Sequence, residues 1–595
     1  MELRNIYCVI LWVIATFEAT RSESPDYWDQ VARNELRRAL NVRKIEKRPK
    51  NVVFFLGDGM GITTLTASRI YKGQLNGRRG EEGTLSFENF PHVGLSKTYN
   101  DDAQVPDSAG TATAFFCGKK AALGVIGLNS NAKLDVCSTA AGNEMSSILE
   151  WAQEAGKATG LVTTTRITHA TPAGTYAHTP NRDWEYDGEI PAADRGRCKD
   201  IATQLIDSDP GRHIRVIFGG GRRMFLPTSA GGSRGDGLNL IDRWLREKSQ
   251  LRPGKTFYVR NFTEMDQLDA ANTDYVLGLF NSDHMKYELE REKTVNQSDR
   301  EPSLKEMVEK AIDILVARNT GFFLAVEGGK IDHGHHAGQA KKAMHDVVAF
   351  DQAIEMAVNK LGTEDTLFVV TADHSHTLSM GGYAKRGGSI LGFGGTANTL
   401  NTEPSHIHPD ERVPYLTLAY ANGPGGGMWF KRNYSDPGSI QPGPEDDNFI
   451  QDAGIKLGIE SHGGEDVAIY ANGPFAHLFH TLHEQNYIPV AIDYAACYRN
   501  QDAPHCREAE TTGPTSKPEV GSTSVMSSSP TEPRTTTPTL FDPASSSTLS
   551  SNTASPAAYS SSPQVTTPST GSSNTFSFLL ISTIAFAVLI RGRPF

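Results

Sequence analysis

The sequence lacks an excess of positive charge. Its 58 Lys and Arg residues are outnumbered by 69 Asp and Glu residues, which gives a formal net charge of −11 at pH 7. A chain with this balance does not attract polyanions over a broad surface, so we expect no nucleic-acid partner, although a small pocket of positive potential is still compatible with it. At 595 residues the chain is long enough to bury a large core, and a sizeable enzyme is physically possible.

Long apolar runs are also scarce, and the clearest ones lie at the two ends of the chain. Near the amino end, Arg4 precedes an apolar run from Ile6 to Phe17, and small polar residues follow. This pattern predicts a cleaved secretory signal over residues 1–22. A buried N-terminal helix is the weaker interpretation, because a strongly charged segment follows directly and would have to be packed as well.

The apolar run near the carboxyl end, residues 576–590, is about 15 residues long and falls short of the roughly 20 that span a bilayer comfortably. Residues 508–575 before it are dominated by Ser, Thr and Pro, which predicts a disordered stalk. This order favours a glycolipid (GPI) anchor signal over residues 576–595 that is removed, with attachment near Ser560–Ser562. The alternative is a short transmembrane helix that ends in RGRPF. We expect the mature protein at the extracellular face of the cell membrane.

Cysteine is rare, with six residues in the chain, and Cys8 lies within the predicted signal. Secretion permits disulfide bonds, and the odd number of remaining cysteines predicts one free thiol. Three N-glycosylation sequons suit a secreted chain and predict surface loops, at Asn261, Asn296 and Asn433.

Between Pro49 and Arg507 the chain alternates short β-branched runs with helical patterns. This alternation predicts an α/β fold with a doubly wound, mostly parallel central sheet, in a domain over residues 23–507. Candidate ligands follow four of the runs and precede a fifth: Asp58; His169 and Thr171; Glu327, Asp332 and His336; Asp373 and His374; and His462. In open α/β sheets ligands bind beyond the carboxyl ends of the strands, so these residues could converge.

Each of these residues has an ordinary explanation when taken alone, such as a helix cap or a solvated histidine. Together they indicate metal ions, because crowding many carboxylates and imidazoles is costly unless cations offset them. The predicted sets are Asp332, His336 and His462 for one zinc; Asp58, Asp373 and His374 for a second zinc; and Glu327, Thr171 and the shared Asp58 for magnesium. Two metals about 4 Å apart suit the in-line displacement of phosphoryl transfer.

The segment QVPDSAGTATAFFCG places Ser108 after Asp107 and at the start of a helix-compatible run. The hydroxyl would then lie at the positive end of a helix beside a metal, which stabilises the alkoxide needed for attack on phosphorus. The ordinary alternative is an N-cap serine with a purely structural role. Arg182 is a candidate phosphate clamp, because a guanidinium matches two phosphate oxygens.

Several segments in one order carry a resemblance to a known family: FFLGDGMG, VPDSAGTATAFFCG, VTTTRITHATPAGTYAHT, VIFGGGRRMF, MKYE, VEGGKIDHGHH, VTADHSHTLSMGGY and SHGGEDVAIYANGP. From about residue 25 to about residue 507 the chain resembles the membrane-bound alkaline phosphatases of animals, insects included. The resemblance implies a metal-dependent phosphomonoesterase in which Ser108 becomes phosphorylated and Arg182 holds the phosphate. It implies the two zinc sets and the magnesium set given above, with Asp107, His169 and His333 supporting them.

The same resemblance implies a homodimer, with an N-terminal helix that reaches toward the partner. It implies a variable crown, here a small insertion at about residues 381–447 that contains the Gly-rich GGSILGFGGTANTLN. It also implies the disulfide bonds Cys137–Cys198 and Cys497–Cys506, with Cys117 free.

One departure concerns calcium. Vertebrate relatives have a calcium site built partly on acidic side chains near the GLF segment, whereas this chain has Asn281 after Phe280, and the segment after GGGRRMFLP is short. Neutral amides bind calcium more weakly than carboxylates do, so we expect this site to be absent or weak.

Two other functions compete with the phosphomonoesterase. A phosphodiesterase or sulfatase on a similar metal platform is disfavoured by the serine, by Arg182 and by the third metal set. A receptor or adhesion protein of the cell surface that has kept the fold would be expected to lack a ligand or the nucleophile, and the sequence retains all of them.

Overall fold

The computed structural model describes residues 24–296, 300–382, 384–394, 415–499 and 502–507. The predicted signal, stalk and anchor segments (1–22, 508–575 and 576–595) lie outside these residues. Within the described part of the chain, no helix combines the length and the apolar character that crossing a membrane requires.

A ten-stranded sheet forms the centre of the domain, with the spatial order β15-β2-β14-β8-β1-β7-β3-β4-β6-β5. The described strands are β1 (Asn51–Gly57), β2 (His92–Lys97), β3 (Ala158–Arg166), β4 (Val216–Gly220), β5 (Thr256–Val259), β6 (Tyr275–Leu279), β7 (Phe322–Gly328), β8 (Thr366–Ala372), β9 (Ser375–His376), β10 (Leu378–Met380), β11 (Leu418–Gly423), β12 (Ala453–Lys456), β13 (His462–Gly463), β14 (Val467–Asn472) and β15 (Thr481–Glu484). β14 runs antiparallel to β2 and β8, and the other neighbours are parallel. The predicted α/β fold with a mostly parallel central sheet is confirmed.

Helices connect these strands and surround the sheet. The described α-helices are α1 (Pro25–Leu40), α2 (Ile62–Leu75), α3 (Ser108–Cys117), α4 (Ile148–Glu154), α5 (Ala170–Ala173), α6 (Ile201–Asp207), α7 (Leu240–Leu251), α8 (Phe262–Asp266), α9 (Glu288–Arg291), α10 (Leu304–Val316), α11 (Lys330–His336), α12 (Ala340–Leu361), α13 (Tyr487–Ala496) and α14 (Pro504–Arg507). The helices follow the strands in alternation, so the sheet is covered on both faces.

The two faces of the sheet bury separate hydrophobic cores, and β1 contributes to both. Phe54 packs with Phe115 and Phe116 of α3 in one core, whereas Phe55 packs against Phe350 of α12 in the other. Successive side chains of a strand point to opposite faces, so a strand covered on both sides must be apolar throughout. This explains why all seven residues of β1 are buried.

Two smaller sheets lie beyond the carboxyl end of β8. β9 pairs with β13, and β10, β11 and β12 form a three-stranded sheet. The crown predicted at about residues 381–447 therefore begins directly after β10 and includes β11. Residues 383 and 395–414 of that region lie outside the described residues.

α1 has no buried residue within its own chain. Ser24 caps its amino end by accepting a hydrogen bond from the backbone N–H of Tyr27. The helix is amphipathic, yet Trp28 is 46% exposed and Leu40 is 75% exposed. Its apolar side chains are therefore left largely uncovered in the single chain.

Candidate metal centre and nucleophile

Neighbouring strands of the central sheet bring the predicted ligands to one edge. β1 lies between β7 and β8, and the register pairs Leu56 of β1 with Glu327 of β7. Asp58 directly follows β1, and Asp373 directly follows β8, whose last residue lies opposite Gly57. The carboxylates of three strands therefore meet at the same level.

The first cluster joins two residues of α11 to one residue of β13. His336 Nε2 and His462 Nε2 lie 3.1 Å apart, and they lie 3.3 Å and 3.4 Å from Asp332 Oδ1. On the other side of each ring, His336 Nδ1 donates to the carbonyl of Glu460 (2.5 Å) and His462 Nδ1 donates to the carbonyl of Pro106 (2.8 Å).

These carbonyl contacts decide what the cluster can bind. A carbonyl oxygen only accepts, so each Nδ1 carries a proton, and the two Nε2 atoms, which face each other, are the nitrogens left to act as metal donors. Burial lowers the pKa of His336, which favours its neutral form. Although burial opposes ionisation of Asp332, His336 and His376 hold its pKa well below its usual range. Two lone pairs and a carboxylate that converge in this way fit a zinc ion.

The second cluster consists of Asp58, Asp373 and His374, and all three side chains are fully buried. His374 Nε2 lies 3.2 Å from Asp373 Oδ2 and 3.5 Å from Asp58 Oδ1. His374 Nδ1 donates to the carbonyl of Ser375 (3.1 Å), so its Nε2 also faces the carboxylates without a proton. Burial, with Asp373 beside it, raises the pKa of Asp58 well above its usual range. This set too fits a zinc ion.

The third cluster offers oxygen only. Asp58 Oδ2, Thr171 Oγ1 and Glu327 Oε1 are buried and have no hydrogen-bond partner among the described residues. Glu327 Oε2 accepts hydrogen bonds from Thr163 and Thr165, which leaves Oε1 unused. Burial raises the pKa of Glu327 to about 7, although these threonine bonds oppose the shift. Unused carboxylate and hydroxyl oxygens are the donors that magnesium prefers.

Ser108 is the first residue of α3 and is 2% exposed. Its Oγ lies 3.2 Å from His374 Nε2 and 3.4 Å from Asp58 Oδ1, at the second cluster. The N-cap of α3 is Asp107, whose carboxylate accepts from the backbone N–H of Gly110 (3.1 Å). The interpretation of Ser108 as the capping residue is therefore wrong, and its hydroxyl remains available.

Asp107 also holds Arg182. Arg182 Nη1 donates to Asp107 Oδ2 (3.1 Å), and Arg182 Nη2 lies 3.2 Å from His169 Nε2. Although burial opposes ionisation of Asp107, Arg182 and the N–H of Gly110 lower its pKa, so the carboxylate stays charged. The guanidinium of Arg182 is thus fixed by the residue that directly precedes Ser108.

A cluster of three histidines lies behind Arg182, and sequence reasoning identified two of them. His169 and His333 were predicted to support the metal ligands, and His284 packs against both, with ring centroids 5.0 Å and 4.3 Å away. Burial lowers the pKa of all three, so they are neutral beside Arg166 and Arg182. Only an isolated histidine in DHMKYE marked His284, and that is a weak signal.

Sequence reasoning also missed His376 and Glu460. His376 Nε2 lies 2.8 Å from Asp332 Oδ1, and His376 Nδ1 lies 2.5 Å from Glu460 Oε2. Although burial opposes protonation, Glu460 and Asp332 raise the pKa of His376 to about 10. The signal was the spacing of two residues from predicted ligands, in HSH after His374 and in ESH before His462.

A sequence model of the alkaline phosphatase family matches residues 49–498. The chain belongs to the alkaline phosphatase family. The tissue-nonspecific alkaline phosphatase of Felis catus is 46% identical over 511 residues, which cover 83% of this chain and 92% of that protein. The human tissue-nonspecific isozyme is 45% identical, with the same coverage. An alkaline phosphatase of Gadus morhua is 45% identical over 80% of this chain and 97% of its own length.

Solved structures show the same fold. The alkaline phosphatase of Thermus thermophilus superposes with a TM-score of 0.54 at 24% identity, covering 78% of this chain and 94% of that one. The alkaline phosphatase of the Antarctic bacterium TAB5 gives a TM-score of 0.52 at 23% identity, covering 76% of this chain and 100% of that one.

This alkaline phosphatase is an enzyme that hydrolyses phosphate monoesters, and its family depends on zinc and magnesium. The three clusters fit those ions, as their donor atoms show.

The disulfide bonds of the structure are Cys137–Cys198 and Cys497–Cys506, the pairs that the resemblance implied, and Cys117 is free and buried. Of the three sequon asparagines, Asn296 and Asn433 are exposed and Asn261 is half-buried. Asn261 caps α8 with its Oδ1, which accepts from the N–H of Glu264 (2.8 Å).

The raised pKa of Glu327 predicts how the metal-free protein responds to pH. Because the folded carboxyl titrates at about 7 rather than at its ordinary 4.5, the folded state binds more protons between these values. The free energy of unfolding should therefore fall as pH rises through this window. Glu327→Gln removes the contribution of this carboxyl. After chelator treatment of both proteins, the free energy of unfolding of the variant should therefore fall less from about pH 5 to about pH 7 than that of wild type.

Urea unfolding at a series of pH values measures this dependence. Glu364→Gln is the control, because Glu364 is on the surface beside Lys47. If the free energy of unfolding depends on pH equally in Glu327→Gln and in wild type, the raised pKa of Glu327 is contradicted.

Proposed function

We propose that the enzyme acts through a covalent phosphoserine at Ser108. The position of Ser108 is the observation that supports this most: its Oγ lies 3.2 Å from His374 Nε2 at the amino end of α3, while the adjacent Asp107 pairs with Arg182. A nucleophile, a metal-ligand cluster and a guanidinium therefore meet in one place. This combination suits phosphoryl transfer through a covalent intermediate.

We assign two zinc ions and one magnesium ion to each chain. The proposed sets are Asp332, His336 and His462 for the first zinc; Asp58, Asp373 and His374 for the second; and Asp58, Thr171 and Glu327 for magnesium. When bound, these ions supply the positive charge that favours a serine alkoxide and offsets the charge of the phosphoryl group.

The residues of the chain perform the remaining steps. Ser108 Oγ forms a bond to phosphorus as the bond between phosphorus and the ester oxygen breaks. The proton that the serine gives up to solvent is balanced by the one that the leaving alkoxide takes from solvent. Arg182 holds two phosphoryl oxygens, and Asp107 and His169 hold Arg182. Water then cleaves the phosphoserine, which releases phosphate and restores the hydroxyl.

Ser108→Ala should lower kcat/KM for p-nitrophenyl phosphate by at least about 1,000-fold, because the nucleophile is lost. Wild type should lose activity with a chelator and recover it with zinc, whereas the variant should not gain activity with zinc. Ser68→Ala is the control, because Ser68 is fully buried in α2, outside the site. Substantial activity in Ser108→Ala would refute the covalent mechanism.

We infer that the enzyme is held at the extracellular face of the cell membrane by a glycolipid anchor. The support comes from the sequence pattern: a leader-type amino end, a Ser/Thr/Pro-rich stalk and an apolar tail of about 15 residues. The proposed domains are the signal 1–22, the catalytic domain 23–507 with its crown at about 381–447, the stalk 508–575 and the removed segment 576–595.

A phosphatidylinositol-cleaving lipase should release the activity from intact membranes into the soluble fraction, because such an anchor has no protein span. The measurement is phosphatase activity in supernatant and pellet after centrifugation, with heat-inactivated lipase as the control. Activity that stays in the pellet would instead indicate a transmembrane segment.

We also infer a homodimer. The support is α1, on which Trp28 is 46% exposed and Leu40 is 75% exposed when only the described residues of one chain are present. Uncovered apolar surface of this kind marks an interaction site.

We infer that calcium binds weakly or not at all near Phe280. Asn281 Nδ2 donates to Glu301 Oε1 (2.6 Å), and Glu301 Oε2 accepts from the N–H of Lys286 (2.8 Å). Both oxygens of the buried Glu301 carboxylate are therefore engaged by the chain itself. Asp283 pairs with two arginines, so it offers calcium little either.

Adding about 1 mM calcium to the zinc- and magnesium-loaded enzyme should raise the free energy of unfolding by about 0.4 kcal/mol or less, as expected for a dissociation constant of about 1 mM or weaker. Thermal unfolding with and without calcium measures this, and the same concentration of additional magnesium is the control. A clear stabilisation by calcium alone would contradict the inference.

A further inference from the structure

Glu460 has a fully buried carboxylate and is not among the predicted ligands or catalytic residues. It lies in the segment between β12 and β13, two residues before His462. A buried carboxylate is costly unless hydrogen bonds or charges compensate it. The partners of Glu460 therefore indicate what it does.

The side chain of Glu460 is linked to Asp332 through the ring of His376. Its Oε2 accepts from His376 Nδ1 (2.5 Å), and the opposite nitrogen of that ring, Nε2, donates to Asp332 Oδ1 (2.8 Å). Its Oε1 accepts from the backbone N–H (2.7 Å) and the hydroxyl (2.6 Å) of Thr377. The carboxylate is thus fixed at both oxygens, and it fixes the ring that orients Asp332.

The backbone of Glu460 is hydrogen-bonded to a different predicted ligand, His336. Its carbonyl accepts from His336 Nδ1 (2.5 Å), and its N–H donates to the carbonyl of His336 (2.9 Å). The first of these bonds keeps the proton of His336 on Nδ1 and turns Nε2 toward Asp332 and His462.

Contacts on both sides of Glu460 along the chain fix its position. β9 and β13 pair so that His376 lies opposite His462, and Asn422 exchanges two hydrogen bonds with Ser461 (2.8 Å and 2.9 Å). A Cβ on Gly423, whose φ is 135°, would lie 3.0 Å from Glu460 Cβ, so Gly423 packs closely against Glu460. The segment cannot shift without moving His462.

We propose that Glu460 is a positioning residue of the first zinc site, orienting Asp332 through His376 and His336 through its own carbonyl. The inference rests on the proposed function, in which Asp332, His336 and His462 hold that zinc. Partners that orient metal ligands fix the ring tautomer and the ligand angle, and their loss typically weakens metal binding. Glu460 therefore supports two ligands of α11 from the segment that leads to β13.

Glu460→Gln is the test, because glutamine keeps the volume and can still accept from Thr377. Its amide N–H group would then face His376 Nδ1, which can accept only after it releases its proton, so the ring becomes neutral and its charge-assisted hydrogen bond to Asp332 weakens. The dissociation constant of the first zinc should rise by about 10- to 100-fold, measured by competition with a zinc chelator. In the cobalt-substituted enzyme the visible spectrum should change, and activity lost at limiting zinc should return at saturating zinc.

Asp351→Asn is the matched control. Asp351 is equally buried and is held by Lys72 and Ser86, but it contacts no predicted ligand. A role of Glu460 in stability alone would lower the thermal midpoint, as in this control, and would leave the zinc dissociation constant and the cobalt spectrum of the folded protein unchanged. That result would overturn the proposal.

Two further variants keep the outcome clear. If Glu460→Gln does not fold, His376→Asn breaks the same link from the other side, and an unchanged zinc affinity there would overturn the proposal. Asp332→Ala tests the proposed function itself and should lose one zinc. Loss of zinc in Asp332→Ala with wild-type affinity in Glu460→Gln would refute only the positioning role, whereas full zinc retention in Asp332→Ala would refute the ligand set.

Discussion

The repulsion among buried carboxylates and bare imidazole lone pairs is the constraint on which the site depends. In all three histidines of the proposed zinc sets a main-chain carbonyl holds a proton on Nδ1, so that Nε2 is the nitrogen that faces the acidic groups. Burial raises the pKa of Asp58 and Glu327, since water cannot screen their charges. The folded chain therefore stores a charge imbalance that either protons or metal cations must offset.

The central sheet holds the buried carboxylates close together in spite of this repulsion. β1 lies in the middle of the sheet, is hydrogen-bonded to β7 and β8 along its length, and packs into a hydrophobic core on each face. Asp58 at its end cannot retreat without disturbing both neighbours, and Glu327 and Asp373 are held in the same way. The cost of crowding the carboxylates is thus met by apolar burial elsewhere in the strands.

The sequence predicts ligands that directly follow apolar strands, because strand ends and sheet edges are readable from local pattern. Asp58 and Asp373 directly follow such strands, and Glu327 is the next-to-last residue of one. The mostly parallel sheet is predictable from the same local pattern. His284, His376 and Glu460 were missed because their roles depend on contacts between distant segments, such as the one between residues 376 and 460. Local pattern carries no information on such pairs, and a lone histidine or glutamate has many ordinary explanations.

The choice of capping residue links the fold of α3 to its chemistry. A serine at the N-cap would accept a hydrogen bond from a helix N–H and so commit its oxygen to the backbone. Here Asp107 takes that place, and its second oxygen binds Arg182. Ser108, one residue later, is therefore free to turn toward His374 and Asp58. One carboxylate thus starts the helix, orients the guanidinium and releases the neighbouring hydroxyl, which is why the order Asp-Ser matters more than the presence of either residue.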